Sequence, residues 1–78
     1  MSSIVSITLE NEYENLRGKV FVRAARDGFS RPDCEDILHD IVVEILENQL
    51  VPEEYTTTLL KVLGRWKRER SRRLTRGV

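Results

Sequence analysis

One cysteine, one histidine, two prolines and four glycines are spread over 78 residues, and aromatic side chains make up only 6%. Each scarcity excludes something. The single thiol, Cys34, rules out an internal disulfide framework and fits a reducing compartment. The single imidazole, His39, stands without a second histidine or a pair of cysteines, so no zinc-ligand spacing exists. No apolar run approaches the ~18 residues of a membrane span. The opening MSSIVSITL lacks the cationic and continuous apolar regions of a secretory signal. Neither a glycine-rich phosphate loop nor a nucleophile elbow is present, so no enzyme activity, cofactor or metal is expected. A chain this short buries only about 60–65% of its unfolded surface, which leaves little room for a deep enclosed site. The expectation is one small domain in the cytoplasm with no membrane partner.

What the chain does have is core-forming side chains and charge. Leu, Ile, Val and Phe fill 24 of the 78 positions, well above the roughly one-fifth level at which disorder sets in. The formal net charge is zero, but it hides a division. Residues 1–59 carry five basic against twelve acidic residues, a net −7. Residues 60–78 carry eight basic residues against Glu69 alone, a net +7. Such asymmetry suggests a polyanion at one end and a basic protein surface at the other. The alternative is that the two halves neutralise each other within the fold.

Periodicity and punctuation predict three helices, at about 8–27, 31–49 and 52–74, with a frayed tail at 75–78. In the first, Leu9, Tyr13, Leu16, Val20 and Ala24 draw one apolar stripe. Ser6 or Thr8 is the expected cap, with Glu10, Glu12 and Glu14 at the positive end of the helix dipole. Asp27-Gly28 ends this helix, Gly28 taking the left-handed position. Ser30 caps the second, with Pro32 in its first turn and Asp33 at the third helical position. Its stripe runs through Cys34, Ile37, Leu38, Ile41, Val42, Ile45 and Leu46 to Leu50, opposite an acidic outer face. The third opens at Pro52-Glu53-Glu54 and buries Tyr55, Leu59, Val62, Leu63 and Trp66, with Leu74 extending the stripe. Thr56, Thr57 and Thr58 are weak helix formers, so its opening turn is expected to be loosely held. The fold class expected is all-α, a small three-helix bundle without a sheet.

Two surfaces carry the candidate chemistry. Seven cations lie between Arg65 and Arg76, beside Trp66 and Tyr55. Arginines and lysines interleaved with aromatics suit the tracking of phosphates and the stacking of a base. Lys61, Arg65, Arg68 and Arg72 follow at helical spacing on one face, and Lys67 and Arg73 flank it. Tyr55, expected at the exposed start of the helix, is the stacking candidate, while Trp66 is in register with the core. Cys34 belongs to the apolar stripe, and His39, among Glu35, Asp36 and Asp40, reads as a surface histidine.

The stretch Cys34-Glu35-Asp36-Ile37-Leu38-His39-Asp40-Ile41-Val42-Val43-Glu44-Ile45 resembles the A-E-D-L-V-Q-E-T-F-L-R-L helix of bacterial sigma factors, in their region 2. Tyr55 to Arg73 is similar to the basic helix that follows it in the extracytoplasmic-function group, and Ala24 to Gly28 is similar to the end of that family's first helix. The resemblance spans roughly residues 10–73 and lacks the family's second, helix-turn-helix domain. It implies a module that docks on the β′ subunit of the RNA polymerase core through Asp36, His39, Asp40 and Glu44. It also implies that promoter DNA is held along Tyr55, Lys61, Arg65, Lys67, Arg68, Arg72 and Arg73. It further implies an anti-sigma partner, or a second sigma-like subunit that supplies the missing domain. The rival expectations are a basic-helix nucleic-acid binder with no polymerase contact, and a helical interaction module that forms homo-oligomers.

Overall fold

The structure is a computed structural model that describes residues 4–76, with side-chain surroundings through residue 72. Three helices, α1 (Ile4–Arg26), α2 (Arg31–Asn48) and α3 (Tyr55–Arg76), run up, down and up, with one 3₁₀ turn at Pro52–Glu54 leading into α3. No strand occurs among the described residues. The protein is an all-α three-helix bundle, as the sequence pattern predicts. α2 packs against both neighbours, whereas α1 and α3 meet only sparsely.

The core follows the stripes. Leu9, Leu16, Val20 and Ala24 of α1 meet Cys34, Ile37, Leu38, Ile41 and Ile45 of α2 and Tyr55, Leu59, Val62 and Leu63 of α3, all buried. Three expectations fail at the edges of these stripes. Tyr13 and Leu46 are both exposed rather than buried, because each sits on the flank of its helix where no third element covers the α1–α2 pair. Thr58, read as part of a loose opening turn, is buried. It lies three residues after Tyr55 and four before Val62, on the core-facing side of α3.

α1 also starts a turn earlier than the sequence suggests. Ser6 and Thr8 lie inside it, so neither caps it, and its first turn carries no acidic residue. Val5 supplies the reason. It packs on the core four residues before Leu9, so the apolar period continues back through a segment of weak intrinsic propensity. At the other end of the chain, α3 continues through Arg76 rather than stopping at Leu74. The side chains of Arg73 and Leu74, and the tail at 77–78, lie outside the described residues.

Both inter-helix corners close in the same way. At the end of α1, Phe29 N–H donates to the Ala24 carbonyl and Gly28 N–H to the Ala25 carbonyl, each at 3.0 Å, with Gly28 at φ +84°. This is a Schellman closure, and its left-handed residue favours glycine. At the end of α2, Gln49 takes that position at φ 50°, and Leu50 N–H reaches back to the Ile45 carbonyl at 3.0 Å. Ser30 caps α2 as expected, its hydroxyl accepting from Asp33 N–H at 3.4 Å. Phe29, just before that cap, is buried against the core and fixes the angle at which the chain enters α2.

The bundle is elongated. Its extents are 50 × 21 × 19 Å and its radius of gyration is 13.6 Å, against about 11–12 Å for a compact chain of this length. α3 continues to Arg76, six residues beyond Arg70, which meets the α1–α2 corner at Asp27.

Candidate nucleic-acid interface on the third helix

The cations of α3 divide by what they touch. On the side facing α2, Lys61 Nζ lies 3.5 Å from Glu44 Oε2, and Arg65 Nη1 lies 4.0 Å from Glu44 Oε1. Asn48 Nδ2 donates to the same carboxylate at 3.3 Å. On the side facing the end of α1, Lys67 Nζ lies 3.0 Å from Asp27 Oδ2. Arg72 pairs within its own helix with Glu69 at 3.3 Å. Arg68 is exposed and has no ion pair among the described residues. Lys61, Arg65, Lys67 and Arg72 keep about half or more of their side-chain surface exposed. Ion pairs in that setting are worth about 0–1 kcal/mol each and are screened by salt, so they leave these cations available to an external polyanion.

Arg70 behaves differently, and sequence reasoning gave it no separate role. Its Nη1 donates to the Asp27 carbonyl at 2.7 Å, and its guanidinium stacks over the Phe29 ring at 4.3 Å. A cation placed on the last carbonyls of α1 satisfies an orphan acceptor and complements the negative end of the helix dipole. Trp66 completes the corner. Its ring meets Phe29 edge-on with centroids 6.2 Å apart, and its Nε1–H donates to Asp40 Oδ2 at 2.8 Å. Phe29, Asp33, Asp40, Arg65, Trp66 and Arg70 border a half-open cleft here, with a volume of about 320 Å³. The signal for Phe29 was available: an apolar residue directly before an N-cap serine.

Tyr55 is not where the stacking expectation needs it. It is buried under the start of α1, and its hydroxyl is the one fully buried polar side-chain atom without a hydrogen-bond partner among the described residues. Burial, and then the Glu12 carboxylate, push its phenol above the ordinary value of 10.0. Its inward position is the one the apolar stripe of α3 assigns it, in register with Leu59 and Val62.

The four acidic-helix candidates also separate. Asp36 and His39 are exposed on the outer side of α2. Asp40 and Glu44 are half-buried and turned toward α3, where they hold Trp66, Lys61 and Arg65. Residues assigned to opposite partners thus touch each other inside one chain. Cys34 is buried, its thiol pushed above the ordinary 9.0 by burial and by the nearby Asp33 carboxylate. Among the described residues no group of three or more His, Cys, Asp and Glu side chains is placed to hold a metal ion, and no helix is long and apolar enough to cross a membrane. No family model, curated protein or solved structure matches the chain.

Proposed function

We propose that the protein is a transcription module of the sigma-region-2 type, which lays α3 along the backbone of promoter DNA and presents the outer face of α2 to the RNA polymerase core. The observation that carries the nucleic-acid half is the exposed basic face of α3, with Lys61, Arg65, Lys67, Arg68 and Arg72 all accessible. Five phosphate contacts give a log–log salt slope of about −4.5 on duplex and about −3.5 on single strands. Fluorescence anisotropy over a salt series reads that slope directly. A flat salt response, or full affinity after charge reversal at both Arg65 and Arg68, would overturn it.

The polymerase half rests on Asp36 and His39, the two α2 candidates left open to solvent. Asp36→Arg is expected to release core polymerase in a pulldown while leaving nucleic-acid affinity intact. The second reading, a nucleic-acid binder without polymerase contact, draws support from Asp40 and Glu44. Both are engaged by α3 rather than free for a partner. An absent β′ band in that pulldown, with the salt slope retained, decides for it.

A further inference from the structure

We propose that the protein pairs with a second copy of itself through the open groove between α1 and α2, the two α1 helices lying antiparallel about a two-fold axis beside Tyr13. α3 covers one side of the α1–α2 pair and leaves the other bare. A depression there passes Leu9, Tyr13 and Leu46, and a second one continues it past Tyr13, Arg17, Val42 and His39, so Tyr13 belongs to both. Tyr13 is 39% exposed and Leu46 43%, apolar side chains lining the groove from α1 and α2 that the bundle itself does not bury.

Charge decides what covers it. Within α1 every acid precedes every base: Glu10, Glu12 and Glu14 come first, then Arg17, Lys19, Arg23 and Arg26. Among the described residues neither Glu10 nor Glu14 nor Arg17 has an ion pair in its own chain. The Arg17 guanidinium instead lies over the Phe21 ring at 4.5 Å. A helix with this polarity is complementary to itself when antiparallel and repels itself when parallel. An axis beside Tyr13 sets Glu10 opposite the partner's Arg17, and Arg17 opposite the partner's Glu10. The same register stacks the two tyrosines at the centre. The result is a four-helix arrangement of α1, α2 and their symmetry mates. A two-helix face about 27 Å long and about 20 Å wide buries on the order of 1,000 Å² in total, the lower bound for a specific interface. Both α3 surfaces stay outside it, so this pairing stands apart from the nucleic-acid reading, whereas His39 lines the groove and the dimer covers that one polymerase candidate.

Light scattering on the eluting full-length protein tests the proposal. At low salt and about 100 μM the wild type is expected at twice its 9.1 kDa chain mass. Glu10→Arg and Arg17→Glu are each expected at the single-chain mass with unchanged helical circular dichroism, because each makes two like-charge contacts across the axis. Mixing the two variants restores two attractive pairs, as does combining them in one chain, so both samples return to the double mass. A wild type that stays at the single-chain mass overturns the proposal. So does a dimer indifferent to either variant, or a mixture that fails to re-associate. Salt titration of oligonucleotide binding on the same variants is expected to be unchanged, which separates loss of the dimer from loss of the α3 surface.

Discussion

The indole of Trp66 is tied to the carboxylate of Asp40 by a 2.8 Å hydrogen bond between α3 and α2. Both residues are half-buried, and the bond joins helices 26 positions apart in sequence. A hydrogen bond to a charged acceptor contributes about 1.5–3 kcal/mol, and partial solvation puts this one at the low end. Asp40→Ala is expected to lower the urea unfolding free energy by about 1–2 kcal/mol. Asp40→Asn, which keeps an acceptor, is expected to cost less. Equal losses for the two variants would show that the bond contributes little.

Glu44 holds two of the α3 cations, at 3.5 and 4.0 Å. Replacing it with glutamine removes an internal competitor for phosphate. Glu44→Gln is expected to raise nucleic-acid affinity severalfold at low salt, an effect that fades as salt is added. The stability cost is expected to stay within about 1 kcal/mol. Unchanged affinity would mean that Lys61 and Arg65 do not meet the ligand.

Tyr55 places a hydroxyl in the core without a partner. Removing an unsatisfied buried polar group is neutral or favourable, so Tyr55→Phe is expected to leave stability unchanged or raise it by about 1 kcal/mol. Its raised phenol carries a pH signature. Such a group contributes stability that is complete below its unfolded value of 10.0 and is lost as pH rises through the higher folded value. Wild type is therefore expected to lose stability above about pH 10 more steeply than Tyr55→Phe. Parallel thermal-melt profiles of the two proteins would count against the burial.

Gln49 adopts a left-handed conformation at φ 50° to close α2. A non-glycine residue there costs roughly 1 kcal/mol, and its backbone donor is used in either case. Gln49→Gly is expected to raise the melting temperature by a few degrees, and Gly28→Ala at the matching corner to lower it. If both substitutions shift it in the same direction, the corners do not control these helix ends.

Cys34 is buried with its thiol pushed upward in pKa. Its reaction with an aromatic disulfide is expected to be slow in the native protein and to accelerate in urea along the unfolding curve. Rapid labelling in buffer would place the thiol at the surface.

The helices were legible because their signals are local. Ser30 and Gly28 mark corners by side-chain chemistry, and the stripes of α2 and α3 repeat over several turns. The start of α1 was not, because Val5 joins the helix through tertiary packing that no cap announces. The candidate site was legible as charge but not as geometry. Spacing alone put Lys61, Arg65 and Arg68 on one face and Tyr55 on the buried stripe, yet it could not say that Glu44 reaches two of those cations. Arg70 stood unnoticed among seven similar cations, since what separates it from Arg68 is a carbonyl 43 residues away.

That separation has a kinetic meaning. α1 with α2, and α2 with α3, form from neighbouring stretches of chain at low closure cost, whereas the clamp of Arg70 and Lys67 on Asp27 closes a loop of some forty residues. The corner is therefore expected to assemble last during folding and to open first under stress. Trp66, sitting in that corner as the one indole of the chain, is expected to change its fluorescence late in folding and early in unfolding.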